Sequence, residues 1–336
     1  MKAFVISEPM VGRITDMPIP VPREDELLIE VKAAGLCGTD IHIYKGEYYG
    51  GYPRVPGHEF SGVVVEAGRN VTRFKVGQAV AADPNIFCET CEPCKANRQN
   101  FCENMQAVGV SQDGAMAQYV LVPERCVFDI TGMSFLEGAL VEPLACVVHG
   151  QQCAGVPLGS SVLVLGAGPI GLMHAQLAAV NGAASVTVTD IVPDKLALAK
   201  QLGADRTFLS HELADAGVEH AFDLVIDCTG IPRVVEGAVR YVKDGGTLLF
   251  FGVCPPDSKI SVSPYEIYKR EVRFLGTFAL KKTFGQAVQL ARSGKINLRD
   301  LVDQRLTLDD APAAFAERVE GNVGLKTVFY PNGLVD

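Results

Sequence analysis

The fold of the second half of the chain is decided by Val162-Leu-Val-Leu-Gly166-Ala-Gly168-Pro169-Ile170-Gly171, an apolar run followed by three glycines. A short apolar run is typical of a buried strand, and the next residues, Leu172-Met-His-Ala-Gln-Leu-Ala, have helical character. Glycines spaced G-x-G-x-x-G between a strand and a helix permit a tight turn and let a pyrophosphate approach the backbone amides. In this context the pattern predicts a dinucleotide site rather than a simple turn, with its contacts at Gly166, Gly168, Pro169, Ile170 and Gly171.

Strand-like runs recur on either side of this turn. They are Val162–Leu165, Ser185–Thr189, Leu224–Asp227 and Thr247–Phe251, and helical segments such as Lys195–Leu202 separate them. This alternation predicts an α/β, doubly wound parallel sheet of the Rossmann type. Up to about residue 130, by contrast, short alternating segments broken by glycine and proline predict an antiparallel or barrel-like β-rich domain.

Asp190 ends the second strand-like run of the Rossmann region. Its separation from the glycines suits a carboxylate that accepts hydrogen bonds from the adenosine ribose. Such a carboxylate repels a 2′-phosphate, and no arginine follows directly, so NAD is favoured over NADP; Lys195 is the nearest cation that could soften this preference. The alternative role for Asp190 is that of a helix N-cap.

Four cysteines, Cys88, Cys91, Cys94 and Cys102, lie within one short segment. Thiols at this spacing can converge on one metal ion, and four thiolates leave no open coordination position. The segment 88–102 therefore predicts a structural zinc lobe. Two disulfides or four unrelated buried thiols are the alternatives.

Composition excludes several classes of function. The chain has 336 residues, of which 48% are hydrophobic and 21% charged, and its formal charge is −9. Dispersed basic residues argue against a nucleic-acid surface, and no apolar run is long enough for a bilayer. We expect a cytoplasmic protein that acts on a small molecule and binds neither nucleic acid nor membranes.

A second candidate metal set lies in the first region. Cys37 opens the run Cys37-Gly-Thr39-Asp-Ile-His42, and His58 and Glu59 follow after two prolines. Thiolate, imidazole and carboxylate together can hold zinc with one position open to a reactant. Each residue alone would more often be structural, but beside a dinucleotide fold they form a candidate reaction centre.

Taken together, the Gly57-His58-Glu59 box, the four-cysteine lobe, the Asp113-Gly114…Tyr119-Val segment and the glycine-rich turn resemble the zinc-dependent medium-chain alcohol and polyol dehydrogenases over nearly the whole chain. The resemblance implies a GroES-like catalytic domain over 1–147 and 283–336, with a Rossmann NAD-binding domain over 148–282. It also implies two zinc ions per subunit, one catalytic and one structural.

The resemblance assigns Cys37, His58 and Glu59 to the catalytic zinc. Glu142 stands where ethanol-type members have a cysteine and the sorbitol and threonine branches a glutamate, so it is expected to be an exchangeable ligand or a substrate contact. Thr39 and His42 resemble the family's proton relay. The alternative is a helix-capping Thr39 and a surface His42.

The implied reaction is oxidation of a secondary hydroxyl of a polyol or sugar-derived alcohol to the ketone, with hydride transfer to NAD. Two alternatives stay open: L-threonine 3-dehydrogenase-like oxidation of an amino alcohol, and a catalytically silent NAD-binding protein. Family members associate through edge strands, so we also expect a homodimer or homotetramer, with Leu248–Gly252 and Val272–Phe278 as the candidate segments.

Overall fold

The structure is a computed structural model that describes residues 1–48, 51–321 and 324–334. The chain forms two compact units. The first comprises Met1–Pro143, Phe284–Ser293 and Leu298–Asp336, and the second comprises Leu144–Thr283 and Gly294–Asn297. The predicted domain boundaries, 147/148 and 282/283, lie near these divisions and stay predictions.

The first unit is rich in strands. Its strands are β1 (Lys2–Glu8), β2 (Val11–Asp16), β3 (Glu26–Gly35), β4 (Glu59–Ala67), β5 (Ala79–Ala82), β6 (Asn85–Ile86), β7 (Gln106–Ala107), β8 (Tyr119–Pro123), β9 (Val127–Asp129), β16 (Val302–Thr307) and β17 (Lys326–Tyr330). Its helices are α1 (Gly38–Lys45), α2 (Glu92–Lys95), α3 (Phe135–Ala139), α9 (Phe284–Arg292) and α10 (Ala311–Val319). Helix α4 (Val141–Ala154) begins in the first unit and continues into the second.

The main sheet of the first unit has β3 at its centre. The strand order is β16-β17-β3-β4-β5-β9, and β8 also pairs with β3. All pairs are antiparallel except β16 with β17. Alternating side chains of β3, among them Leu27, Ile29 and Val31, are fully buried in one core cluster. This packing fixes the position of the end of β3, where Gly35 pairs with Glu59 at the start of β4.

The second unit alternates strands and helices. Its strands are β10 (Ser161–Leu165), β11 (Ser185–Asp190), β12 (Arg206–Leu209), β13 (Phe222–Asp227), β14 (Val242–Phe250) and β15 (Arg273–Gly276). Its helices are α5 (Pro169–Val180), α6 (Pro193–Gln201), α7 (Pro232–Ala238) and α8 (Pro264–Arg270). The strands form one parallel sheet in the order β12-β11-β10-β13-β14-β15. This order is that of the doubly wound dinucleotide-binding fold, which confirms the predicted fold class.

The predicted edge segments differ in position. Strand β14, which contains most of Leu248–Gly252, lies between β13 and β15, and Leu248 and Leu249 are fully buried. A strand paired on both sides cannot extend a sheet into another subunit. The prediction for Leu248–Gly252 is therefore wrong, whereas β15, within Val272–Phe278, does lie at the sheet edge.

In the described part of the chain, no helix combines the length and apolar character that a membrane span requires.

A buried histidine lies in the second unit, on α5. His174 is inaccessible to solvent, its ring packs edge-on against Phe251 at a centroid distance of 4.4 Å, and Gln151 Nε2 donates to its Nδ1 at 3.3 Å. The same Gln151 amide donates to the backbone carbonyl of His174 at 2.7 Å, and Asn181 donates to Gln151 Oε1. Burial lowers the pKa of His174 from 6.5 to about 3, because the apolar surroundings disfavour the charged ring.

We predict that His174 makes the protein sensitive to acid. The folded protein keeps the His174 ring neutral, whereas the unfolded chain can protonate it below pH 6.5. The free energy of unfolding is therefore unaffected by this residue above pH 6.5 and falls as the pH decreases towards about 3, by about 1.4 kcal/mol per pH unit. The variant His174→Gln cannot titrate there. Urea unfolding followed by circular dichroism between pH 7 and pH 4.5 should show a shallower loss of stability than in the wild type.

The exposed His211 offers the matched control, His211→Gln. This variant should follow the wild-type pH dependence. Equal slopes for His174→Gln and the wild type would contradict the assignment of a neutral buried ring.

Candidate active site

Cys37 lies two residues after the end of β3 and is the N-cap of α1. The Asp40 carboxylate caps this helix, because its Oδ2 accepts a hydrogen bond from Cys37 N at 2.9 Å. The N-cap of α1 is thus Cys37. The alternative role of Thr39 as a helix cap is wrong. The end of β3 and the cap together hold the Cys37 thiol in place.

His58 precedes β4, and its ring is oriented by the same aspartate. Asp40 is fully buried, its Oδ1 lies 3.3 Å from His58 Nδ1, and Gly57 N donates to that oxygen at 3.1 Å. Burial lowers the pKa of His58, but the neighbouring Asp40 and Cys37 outweigh it and raise that pKa well above 6.5. A carboxylate on one ring nitrogen directs the other nitrogen towards a metal.

Gly57 is needed for the approach of this segment to its neighbours. Its φ is +98°, and a Cβ there would lie 2.8 Å from Met116 N. A larger residue would be strained by the backbone conformation and would collide with the backbone of the 115–116 segment. Glycine before His58 therefore sets the position of the imidazole.

The structure brings three of the predicted ligands together. One donor atom each from Cys37, His58 and Glu59 lie within 4.8 Å of one another. Glu59 is 1% exposed and His58 7% exposed, and His58 Nδ1 has no hydrogen bond of good geometry despite its 3.3 Å contact with Asp40. A half-buried thiol beside a buried imidazole and a buried carboxylate is a donor set that fits zinc with one position left open. Among the described residues, Glu142 is not part of this group.

Two further buried carboxylates lie in the same unit. Burial raises the pKa of Glu142 to about 7; nearby His58 lowers it, and Glu59 and Asp83 raise it. Burial also raises the pKa of Asp83 to about 6, against the hydrogen bonds from Asn85. Asp83 follows β5, and continuing the pairing of Ser61 with Ala81 sets it opposite Glu59. The unit that contains the donor group therefore also contains two buried carboxyl groups with pKa values near neutral pH.

The predicted proton-relay residues both lie on α1. Thr39 is half-buried and His42, three residues later, is exposed on the same helix face. His42 Nδ1 lies 2.7 Å from Glu47 Oε2. The helix thus runs from the Cys37 thiol to an imidazole at the surface, and the relay role of the two residues remains a prediction.

The four cysteines of the 88–102 segment form a second cluster, with all four sulfur atoms within 4.8 Å of one another. Cys91 Sγ and Cys102 Sγ are 3.9 Å apart, close to the ~3.8 Å edge of a tetrahedron with zinc–sulfur bonds of about 2.3 Å. The cysteines are free rather than disulfide-bonded. N–H groups of Cys91 and Thr90 lower the pKa of Cys88 to about 5. Burial and the neighbouring thiols raise the pKa of Cys94 to about 12, so it is the convergence of the four sulfur atoms that indicates a metal. The cluster fits a closed zinc site.

The glycine-rich turn of the second unit is tightly constrained. Gly166 has a φ of +98°, and a Cβ on Gly171 would lie 1.8 Å from Gly166 O, so neither position accepts a side chain. A Cβ on Gly168, at the N-cap of α5, would meet nothing within 4 Å. Open space at the start of a twelve-residue helix is what a pyrophosphate requires. Pro169 and Ile170 are the first two residues of α5.

Asp190 is tied to this turn. Its Oδ2 accepts from Ala167 N at 2.7 Å and its Oδ1 from Val192 N at 3.0 Å. Val192, not Asp190, is the N-cap of α6, so the alternative capping role is wrong. Lys195 is half-buried within α6.

Sequence reasoning missed three charged residues of the site: Asp40, Asp83 and Lys326. Asp40 stands at the third position of a helix after its N-cap, a pattern that predicts a capping carboxylate and could have identified it. Asp83 directly follows a buried strand, which is a weaker signal. Lys326 Nζ donates to Glu59 Oε1 at 2.7 Å across 267 positions of sequence, and no local pattern indicates that contact.

Comparison with known proteins agrees with this architecture. Residues 23–132 match the family described as alcohol dehydrogenase GroES-like domain, and residues 169–293 match the family described as zinc-binding dehydrogenase. The chain is 38% identical to the D-altritol 5-dehydrogenase of Agrobacterium fabrum, over 94% of this chain and 95% of that protein. It is 35% identical to sorbitol dehydrogenase 1 of Saccharomyces cerevisiae, over 94% of each.

Among solved structures, a protein of Sinorhizobium meliloti 1021 bound to NADP superimposes with a TM-score of 0.94 at 36% identity, over 98% of this chain and 99% of that one. The two units thus define a zinc-binding dehydrogenase of the two-domain type. The chain belongs to the zinc-dependent medium-chain dehydrogenase family, in its sorbitol dehydrogenase-like branch. The predicted resemblance is confirmed.

We predict that the four-cysteine cluster holds one of two metal equivalents. The variant Cys94→Ser removes a buried thiolate, so zinc bound per chain should fall from about two to about one. Limited proteolysis should then cut within 88–102, because the segment has lost its central cross-link. Metal analysis of the dialysed protein measures the first effect, and mass spectrometry of the digest the second.

The exposed Cys153 offers the matched control. Cys153→Ser should keep the metal content and the protease resistance of the wild type. Two equivalents of zinc retained by Cys94→Ser would refute the four-thiolate site.

Proposed function

We propose that this protein oxidises a secondary hydroxyl of a polyol or sugar-derived alcohol to the ketone and transfers the hydride to NAD. The observation that carries the proposal is the group of Cys37, His58 and Glu59, whose donor atoms lie within 4.8 Å of one another; Cys37 is half-buried and the other two are buried. Three protein donors hold a metal and leave a position for a reactant, unlike the closed four-cysteine cluster.

In this proposal Cys37, His58 and Glu59 hold the catalytic zinc, and Glu142 is an exchangeable donor beside them. Bound zinc supplies Lewis acidity that stabilises negative charge on a hydroxyl oxygen. Asp40 fixes the His58 ring relative to the Cys37 backbone, because one of its carboxylate oxygens contacts the ring and the other accepts from Cys37 N. Holding the donors before the substrate arrives reduces the reorganisation that the reaction requires.

The hydroxyl proton leaves by way of two side chains of α1. Thr39, two residues after Cys37, accepts it on its hydroxyl oxygen and gives up its own hydroxyl proton, which His42 takes up and releases to solvent from the exposed part of the helix. An imidazole suits this step because its ordinary pKa lies near neutral pH. Glu47, 2.7 Å from His42 Nδ1, holds the ring at that end.

A polyol is favoured over a simple alcohol because of the carboxylates. Glu142 and Asp83 are buried acceptors that can receive hydrogen bonds from hydroxyls next to the reacting one. Two of the relatives bear the names D-altritol 5-dehydrogenase and sorbitol dehydrogenase, both of polyol-oxidising enzymes.

NAD is the proposed cofactor. Gly168 leaves room for the pyrophosphate, and the Asp190 carboxylate, fixed by two backbone N–H groups, repels a 2′-phosphate. The related Sinorhizobium meliloti protein binds NADP, so the choice of cofactor is tested together with the substrate.

We also propose a homodimer or homotetramer joined through β15, and a cytoplasmic location. Strand β15 ends the parallel sheet, and the neighbouring helix α8 exposes Tyr265 and Tyr268 by 64% and 80%. An unpaired strand edge with exposed aromatic residues beside it suits a two-fold contact.

The experiment is initial-rate NADH formation with pentitols, hexitols, sugar acids, simple alcohols and L-threonine, each with NAD and with NADP. We expect turnover on a polyol with NAD, its loss after chelation, and its recovery on addition of zinc. Turnover on L-threonine alone would move the protein to the amino-alcohol branch. Absence of any turnover by protein with zinc and NAD bound would refute the proposal in favour of a silent NAD-binding protein.

A further inference from the structure

Lys326 and Glu59 form a buried ion pair inside the proposed metal site. Lys326 Nζ lies 2.7 Å from Glu59 Oε1, to which it donates, and 2.5 Å from Oε2. The side chains are 9% and 2% exposed. Little water screens the attraction between these two charges, and removing one partner leaves the other as an uncompensated buried charge.

The fold places this lysine beside the metal donors. Lys326 is the first residue of β17, whose Val328 pairs with Gly35 of β3, and Leu36 N donates to Thr327 O at 2.9 Å. Continuing that register sets Lys326 opposite Cys37. The position of the ammonium group is therefore determined by the sheet.

Gly35 leaves the space that the pair occupies. A Cβ at this position would lie 2.2 Å from Glu59 Oε2 and 3.2 Å from Lys326 Cε. The carboxylate and the lysine stem thus pack directly on the backbone at the end of β3. The backbone of Gly35 therefore limits the movement of both the Glu59 carboxylate and the Lys326 side chain towards β3.

The Glu59 carboxylate contacts the Lys326 ammonium group and also lies beside the Cys37 and His58 donor atoms. The Glu59 carboxylate therefore has two positive partners: the Lys326 ammonium group and the metal that Cys37 and His58 would bind.

We propose that Lys326 is a positioning residue that competes with the metal for the Glu59 carboxylate and so keeps Glu59 an exchangeable ligand. This rests on the proposed metal site at Cys37, His58 and Glu59. The ammonium group withdraws charge from the carboxylate and gives it a second partner when it leaves the metal. Glu59 can then yield a coordination position to a substrate hydroxyl without becoming a buried, unpaired anion.

The test measures metal release in the full-length protein. The variant Lys326→Met keeps most of the side-chain volume and removes the charge. Cobalt(II) replaces zinc, because a site with one thiolate and a site with four thiolates absorb differently, and release to a chelator is followed at the band of the one-thiolate site. We expect release from Lys326→Met to be slower by about tenfold, because Glu59 loses the partner that competes with the metal. The size is that of the lower end of the affinity changes caused by mutating outer partners, and the direction is opposite because those partners support the ligand whereas Lys326 competes for it.

Two comparisons isolate the mechanism. In the Glu59→Gln background there is no carboxylate to compete for, so adding Lys326→Met should leave the release rate the same as in Glu59→Gln alone. The double variant has lost both charges of the pair, so neither is left buried without its partner. Lys32→Met, which removes the lysine of the half-buried Lys32–Glu30 pair on β3, is the matched control and should release cobalt like the wild type. Thermal unfolding of every variant checks that it is folded.

Release from Lys326→Met that is unchanged or faster than in the wild type overturns the proposal. So does a slower release that persists in the Glu59→Gln background. The result does not depend on substrate: a wild type that oxidises no polyol refutes the proposed function, yet slower metal release from Lys326→Met would still support the role of Lys326.

Discussion

The close meeting of three strands at Gly35 is the constraint on which the reactive site depends. Gly35 at the end of β3 pairs with Glu59 at the start of β4 and with Val328 of β17. The missing side chain leaves space for the Glu59 carboxylate and the Lys326 stem. Because seven of the ten residues of β3 are buried, the core holds this junction in place, and the chain that follows supplies Cys37 and helix α1 from a fixed point. The donors are therefore arranged by the sheet before any ligand binds.

Backbone crowding has a similar role in the second unit. The helix α5 can start where it does only because Gly171 lets its first turn lie against Gly166 O. The same crowding directs the N-terminus of α5 to the open space at Gly168, and Asp190 ties the neighbouring strand to the turn through Ala167 N. Thus two glycine-dependent contacts, one in each unit, position the metal donors and the cofactor turn.

Much of this architecture follows from local sequence. Spacing alone identified the four-cysteine cluster and the glycine-rich turn, because each is formed by residues close in the chain. Strand β12 was not predicted, because Arg206–Leu209 is short and lacks a continuous apolar run. Leu248–Gly252 was misplaced at an edge, since a buried strand and an edge strand can both be apolar. Lys326 could not be predicted because its contact with Glu59 exists only through the pairing of β17 with β3.

The most direct test of the account is X-ray absorption spectroscopy at the zinc edge, comparing the wild type with Cys37→Ser. The wild type should show two zinc environments, one bound by sulfur alone and one by a single sulfur with nitrogen and oxygen. Cys37→Ser should lose the second environment and keep the first. A wild type in which all bound zinc has only sulfur neighbours would contradict a metal centre at Cys37, His58 and Glu59.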